Sequence, residues 1–128
     1  MSAVDAVTAP GRLRILVVDD NIDQVRSMAY LLRDLGYQVD YALNGIIAAD
    51  VALRTRPHIV LLDMHLGDTS GMQVARELRR NGKLLGTCIV GITGYPVSRS
   101  DALGAGFDDV LTKPVDLREL QALLARAA

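Results

Sequence analysis

Short apolar runs alternate with amphipathic stretches from Leu13 to the end of the chain. Apolar runs bounded by turn-forming residues are typical of buried strands, whereas apolar residues spaced three and four apart are typical of helices. The pattern predicts five strands, each followed by a helix, with the strands at about 13–18, 37–41, 59–62, 88–92 and 109–111. Such alternation indicates an α/β fold in one domain, doubly wound around a parallel sheet with right-handed crossovers.

The predicted elements differ in how they are buried. The strand at 37–41 alternates Tyr37, Val39 and Tyr41 with polar residues, which indicates an edge strand with its polar face in water and the other face inward. The run at 59–62 is wholly apolar and indicates a central strand. Ile47 and Val51 are expected to face inward on the second helix, and the last helix is expected to bury Leu117, Leu120, Leu123 and Leu124. Each helix begins near a residue that can cap it: Asp20 or Asn21, then Asn44, Ser70, Ser98 and Asp116.

Length and composition restrict the class of protein. The 128 residues are 50% hydrophobic and carry 14 basic against 15 acidic side chains, so we expect one domain without the basic surface that direct nucleic-acid binding requires. No run approaches the ~18 apolar residues of a membrane span. Residues 1–11 are expected to form a flexible tail, not a signal peptide, and residues 12–128 the domain, in a cytoplasmic protein without membrane contact.

Polar residues that could bind a divalent cation or a phosphoryl group follow four of the predicted strands. Asp19 and Asp20 follow the first strand, Asp63 the third, Thr93 the fourth and Lys113 the fifth. Because ligands bind beyond the carboxyl ends of the strands in such sheets, we expect these side chains to share one crevice.

Three carboxylates in one crevice repel each other. Two like charges at 4 Å cost about 1 kcal/mol in water and about 4 kcal/mol at an effective dielectric constant of 20. Raised pKa values or a bound cation can offset this repulsion. All-oxygen ligands favour Mg²⁺, for which Mn²⁺ can substitute. The sequence therefore predicts a magnesium site, with Lys113 as a balancing positive charge, and Pro114 makes the bond after Lys113 a candidate cis peptide.

The strand-end motifs resemble those of one known family. They are Val17-Val18-Asp19-Asp20-Asn21, Leu61-Leu62-Asp63-Met64, Ile92-Thr93-Gly94 and Leu111-Thr112-Lys113-Pro114. In order and spacing, over about residues 13–125, they resemble the response regulator receiver domain of two-component signalling systems. The resemblance implies a flavodoxin-like fold with strand order 2-1-3-4-5 and five helices. It also implies a phosphorelay switch, not an enzyme, although such a domain takes part in its own phosphorylation and dephosphorylation.

The resemblance also assigns roles to the residues. Asp63 is implied as the phosphoacceptor, with a histidine kinase or a histidine phosphotransfer protein as donor. Asp20 and Asp63 are implied to bind Mg²⁺, Asp19 to act on it mostly through water, and the backbone carbonyl of His65 to complete the metal site. Thr93 and Lys113 are implied to bind the phosphoryl group, after which the surface of the fourth helix and fifth strand changes. The chain is expected to be a monomer or to form a phosphorylation-dependent dimer.

Several positions depart from the common receiver pattern. Val110 stands where many receivers have an aromatic switch residue. The switch is therefore expected to run through backbone and packing alone, or through another group, for which Tyr95 is a candidate. Leu66-Gly67 replaces a frequent Met-Pro, which predicts a more mobile loop. His65, Gly94 and Tyr95 occupy positions that tune dephosphorylation in the family, and Gly94 is expected to open access to the phosphoryl group. The surrounding motifs are similar to those of hybrid histidine kinase or stand-alone receivers.

Three other functions compete with the switch. A phosphohydrolase of the haloacid dehalogenase type would have Asp-x-Asp after its first strand, which Asp19-Asp20-Asn21 does not provide. A flavodoxin-like nucleotide- or flavin-binding module would need a phosphate loop, but the only G-x-G, at Gly104–Gly106, precedes a strand. A degenerate receiver that serves only as a docking module would have lost site residues, and all five are present.

Overall fold

The computed structural model describes residues 13–67 and 69–127, so the tail predicted at 1–11 lies outside the described residues. Five strands alternate with five α-helices, as predicted. The strands are β1 (Arg14–Val18), β2 (Gln38–Ala42), β3 (Ile59–Asp63), β4 (Cys88–Thr93) and β5 (Asp109–Thr112). The helices are α1 (Ile22–Asp34), α2 (Gly45–Thr55), α3 (Gly71–Arg80), α4 (Arg99–Ala105) and α5 (Leu117–Ala127), with a 3₁₀ turn at Gly82–Leu84 after α3.

The strands form one parallel sheet in the order β2-β1-β3-β4-β5, which confirms the predicted flavodoxin-like topology. Val18 pairs with Leu62, and Asp63 pairs with Ile92, so the ends of the three central strands lie at similar height. Thr93 pairs with Thr112 directly before Lys113. The register therefore brings the polar residues that follow four separate strands to one edge of the sheet.

Two apolar layers cover the two faces of the sheet. On one face α1 and α5 bury Val25, Ala29, Leu32, Leu120 and Leu124 against alternate residues of the central strands. On the other face α2, α3 and α4 bury mainly small residues, such as Ala48, Ala52, Ala75, Ala102 and Ala105. Every residue of β3 is buried, as expected for a central strand covered on both sides.

The predicted caps are present at the helix N-termini. The side chains of Asn21, Asn44, Ser70 and Ser98 accept backbone N–H bonds from the first turns of α1, α2, α3 and α4. Asp116 accepts the N–H groups of Arg118 and Glu119 at the start of α5. These bonds set where each helix begins after its strand-end loop.

Three expectations about inward-facing residues were wrong. Ile47 is exposed because α2 turns its small residues inward, and at Gly45 a Cβ would lie 2.7 Å from Val74 of α3. That close approach of two helices leaves no room for a large side chain, and the adjacent Ile46 is 84% exposed. Tyr41 is exposed at the sheet edge, where Ala42 is buried instead, and Leu117 is exposed at the first turn of α5.

None of the helices in the described ranges combines the length and the hydropathy that crossing a membrane requires.

We predict that Gly71→Ala destabilises the fold by about 1–3 kcal/mol, because overpacking costs that much in a rigid site. A Cβ at Gly71 would lie 2.6 Å from the Asp63 carbonyl oxygen and 2.7 Å from Met64 Cα, both backbone atoms. Gly104→Ala in α4 is the matched control, since a Cβ there meets no atom within 4 Å. The control should gain about 0.5–1 kcal/mol of helix propensity. Urea denaturation measures both, and equal stability of the two variants would contradict the packing argument.

Candidate functional site

The carboxyl edge of the sheet holds an open cavity of about 560 Å³. Four of the five strand-end residues line this cavity, together with loop and helix residues: Asp19, Asp20, Asn21, Gln24, Asp63, His65, Gly94, Tyr95 and Lys113. The fifth, Thr93, is only 1% exposed and lies at the end of β4 beside Asp63. The structure therefore brings four of the five predicted site residues together in one crevice and places Thr93, buried, at the neighbouring strand end.

Asp63 is the buried acid of this crevice, with 6% of its surface exposed. It ends β3, whose two neighbours are the strands that deliver Asp19 and Thr93. Lys113 Nζ lies 2.9 Å from Asp63 Oδ2, and the backbone N–H of His65 donates to Asp63 Oδ1 at 2.8 Å. Each carboxylate oxygen thus has a defined partner, and one face of the group remains open to the cavity.

Lys113 is held in place by its own backbone. Its N–H donates to the Thr93 carbonyl oxygen at 2.7 Å, which continues the β4–β5 pairing past Thr112. The Lys113–Pro114 peptide bond is cis, as predicted. The ammonium also lies 3.4 Å from Gln24 Oε1, so the first turn of α1 contacts the same charged group.

Asp19 is the second buried acid. Burial raises the pKa of the Asp19 carboxyl above its ordinary value, and the neighbouring charge of Asp63 raises it further. The backbone N–H of Asn21, at 3.0 Å from Oδ1, and the charge of Lys113 act in the opposite direction. The net rise shows that a negative charge is costly at this position in the protein alone.

The donors at this edge fit a hard cation that keeps part of its hydration shell. Asp20 is exposed on the cavity rim, and its carboxylate borders Gly67. Among residues 13–67 and 69–127, no three acidic, histidine or cysteine side chains are close enough to hold a metal ion alone. The buried Asp19 carboxyl, whose charge is opposed by Asp63, nevertheless offers oxygen ligands that suit Mg²⁺ with several bound waters.

The loop after β4 is tied to Thr93. Thr93 Oγ1 donates to the Tyr95 carbonyl oxygen at 3.0 Å and accepts the Tyr95 N–H at 3.1 Å. The Tyr95 ring meets the His65 ring edge to face, with centroids 5.4 Å apart and planes at 87°. A Cβ at Gly94 would meet no atom within 4 Å, so this position leaves open space at the cavity.

The loop after β3 is shaped by two residues that differ from the common pattern. Leu66 is buried in the core, and Gly67 adopts φ +73°, a conformation that favours glycine. Leu66 N–H donates to the Thr69 carbonyl oxygen at 3.1 Å. The greater mobility that we expect for this loop stays a prediction.

Sequence reasoning missed Gln24. This exposed residue of α1 contacts Lys113 and lines both the site cavity and an apolar groove of about 770 Å³ between α1 and residues 113–115. The available signal was its place in the first turn of α1, shortly after Asp19 and Asp20 in the chain. Glutamine has no distinctive motif chemistry, so spacing alone did not single it out.

Comparison with known proteins agrees with this geometry. The family model of the response regulator receiver domain matches residues 15–125. The chain belongs to the response regulator receiver domain family. The response regulator MprA of Mycobacterium sp. (strain KMS) is 37% identical over an alignment of 120 residues that covers 91% of this chain and 52% of MprA. The chain thus spans about half the length of that relative.

Solved receiver structures show the same fold. The chemotaxis protein CheY4 of Vibrio cholerae matches with a TM-score of 0.85 at 24% identity, covering 91% of this chain and 98% of CheY4. The receiver domain of a signal transduction histidine kinase from Syntrophus aciditrophicus matches with a TM-score of 0.80 at 26% identity, covering 90% and 89% of the two chains. Because the receiver matches regulators and a kinase alike, the hybrid or stand-alone sub-class stays a prediction.

We predict that Asp19→Asn raises the melting temperature by a few degrees near pH 7 with the metal chelated by EDTA. The folded state binds the Asp19 proton more tightly than the unfolded chain, so this stabilisation is complete below the ordinary pKa of 3.8 and is lost as pH rises through the folded pKa. Asparagine avoids that loss and keeps an oxygen for the Asn21 N–H.

The gain should shrink as the pH falls towards 3.8, and Asp40→Asn, on the exposed edge strand, should show none of it. Thermal melts followed by circular dichroism at several pH values measure the effect. A lower melting temperature for Asp19→Asn near neutral pH would contradict this account.

Proposed function

We propose that the chain is a phosphoryl-accepting switch and that Asp63 is the acceptor. The observation that supports this most directly is the setting of the Asp63 carboxylate. It is buried at a strand end, bonded to Lys113 and a backbone N–H, and still open to a cavity that Asp19 and Asp20 share. A structural aspartate would not need a second buried acid beside it, whereas a phosphoryl-transfer site uses both charges.

The chemistry follows from these positions. An oxygen of Asp63 attacks the phosphorus of a phosphohistidine, a P–O bond forms, and the P–N bond to the donor imidazole breaks with its electron pair leaving on nitrogen. Lys113, whose Nζ already lies within hydrogen-bond distance of Asp63, stabilises the phosphoryl oxygens. Mg²⁺, with which receiver domains generally work, would be held by Asp19, Asp20, Asp63 and the His65 carbonyl and would neutralise phosphoryl charge. Water then hydrolyses the acyl phosphate, so the signal is temporary.

Thr93 is proposed to donate its hydroxyl proton to a phosphoryl oxygen. It follows Ile92, the β4 residue that pairs with Asp63, and its side chain is shielded from solvent. Movement of Thr93 would pass to the loop before α4 and to the adjacent strand β5. The surface of α4 and β5 is therefore the proposed output, with half-buried Val110 in place of an aromatic side chain.

The proposed partners follow from the family. Response regulators interact with histidine kinases, and a kinase or a histidine phosphotransfer protein is proposed as the phosphoryl donor in the cytoplasm. Receiver domains are signalling domains, so the chain is proposed to act as a switch and not as a phosphohydrolase. We also propose that the chain does not bind nucleic acid directly. Its proposed state is a monomer or a phosphorylation-dependent dimer.

We predict that Asp63→Asn abolishes phosphoryl uptake, because an amide oxygen is a poor nucleophile and carries no charge. Phosphoramidate with Mg²⁺ is the donor, and intact mass spectrometry measures the gain of one phosphoryl group. The Asp40→Asn variant should take up the group at the wild-type rate. EDTA should slow uptake in both the wild type and the control.

Uptake by Asp63→Asn at the wild-type rate would contradict the assignment. A wild type that gains no mass with phosphoramidate and Mg²⁺ would instead favour the docking module that has lost phosphorylation.

A further inference from the structure

We infer that the Tyr95 side chain is the moving element of the switch: it rests on His65 without a phosphoryl group and leaves His65 when Asp63 is phosphorylated. This inference rests on the proposed function and adds a positioning residue to it. Tyr95 would act through Thr93 and the two loops, without touching the reacting atoms.

The hydroxyl of Thr93 links the Tyr95 backbone to the proposed phosphoryl site. A threonine hydroxyl has one proton, so it can donate one hydrogen bond at a time. In this structure that proton goes to the Tyr95 carbonyl oxygen at 3.0 Å. A phosphoryl oxygen on Asp63 would compete for the same proton, and the Tyr95 carbonyl would lose its donor.

The ring of Tyr95 makes an aromatic contact with His65 on the solvent side of the same loop. The edge-to-face arrangement of Tyr95 and His65, with centroids 5.4 Å apart, is a favourable geometry for two aromatic rings. His65 belongs to the loop after β3, and its N–H donates to Asp63 Oδ1. Tyr95 therefore contacts His65, which bonds Asp63 directly, and it is also hydrogen-bonded to Thr93, which follows Ile92, the β4 residue that pairs with Asp63.

A short segment leads from Tyr95 to the start of α4. Tyr95 is 65% exposed, so its ring can move without opening the core. Gly94 adds no side chain on the Thr93 side of this movement. Three residues after Tyr95, the Ser98 side chain caps α4, and half-buried Val97 packs against the core between them. A shift of Tyr95 therefore reaches the start of α4 along a short segment.

Strand β5 carries no aromatic side chain that could move in place of Tyr95. Val110 is half-buried and pairs with Gly91 in the interior of the β4–β5 ladder. It has no ring that could rotate between buried and exposed positions. Among the described residues at this edge of the sheet, Tyr95 and His65 form the one aromatic pair.

The test uses the full chain, Mg²⁺ and beryllofluoride, a phosphoryl mimic. In NMR spectra the Tyr95 and His65 ring protons should show a mutual nuclear Overhauser effect with Mg²⁺ alone and lose it when beryllofluoride binds. The ring signals of Tyr30, which is exposed on α1, should not change. An effect that persists at full strength in the beryllofluoride complex would overturn the inference.

Variants of the two rings supply a second measurement. Tyr95→Ala keeps the backbone groups that bond Thr93 but removes the ring contact that favours the phosphoryl-free loop. Beryllofluoride affinity should therefore rise about two- to five-fold, as expected for loss of one exposed aromatic pair. Tyr95→Phe keeps the ring and should bind like the wild type, as should Tyr30→Ala.

A double-mutant cycle then tests whether the two rings act as a pair. His65→Ala should raise the affinity to a similar extent, and His65→Ala with Tyr95→Ala should exceed neither single variant. Unchanged affinity in Tyr95→Ala, or fully additive effects, would overturn the inference and leave phosphorylation at Asp63 intact. A wild type that binds no beryllofluoride would overturn the proposed function and this inference with it.

Discussion

The balance of charge around Asp63 is the constraint on which the rest of the site depends. Two acidic side chains, Asp19 and Asp63, are buried at the ends of adjacent strands, and one ammonium, that of Lys113, forms an ion pair with Asp63. Burial and the neighbouring charge both raise the pKa of the Asp19 carboxyl. The protein alone therefore leaves negative charge under-compensated where a cation and a phosphoryl group are proposed to bind.

The sheet holds these acidic side chains at its edge because its central strands are covered on both faces. All of β3 is buried between two helical layers, so the position of Asp63 is set by core packing. Lys113 is fixed by the backbone bond from its N–H to the Thr93 carbonyl. The loops that carry His65 and Tyr95 are less covered. The covered part of the site thus holds Asp63 and its contacts, and the exposed part carries the rings of His65 and Tyr95.

Much of this architecture could be predicted from the sequence because its causes are local. The wholly apolar run before Asp63 indicates a central strand, and capping side chains such as Ser98 mark where helices begin. Parallel topology then brings the strand-end residues together, and the motifs identify which of them matter. These steps use periodicity and chain direction, both of which are visible in one sequence.

The remaining features depend on contacts between distant segments. Ile47 faces solvent because α2 approaches α3 closely at Gly45, which no pattern within α2 shows. The contact of Gln24 with Lys113 and that of Tyr95 with His65 join loops or helices far apart in the chain. The sequence suggested Tyr95 only because Val110 replaced the expected aromatic residue, and its partner required the three-dimensional structure.

We propose that the buried Asp63 carboxylate, and no other acid at this edge, receives the phosphoryl group. Borohydride reduction after treatment with phosphoramidate and Mg²⁺ converts a phosphorylated aspartate to homoserine, and peptide mass spectrometry locates the converted residue. The account predicts homoserine at position 63 alone. Homoserine at position 19 or 20, or at no aspartate of a folded and Mg²⁺-saturated protein, would contradict it.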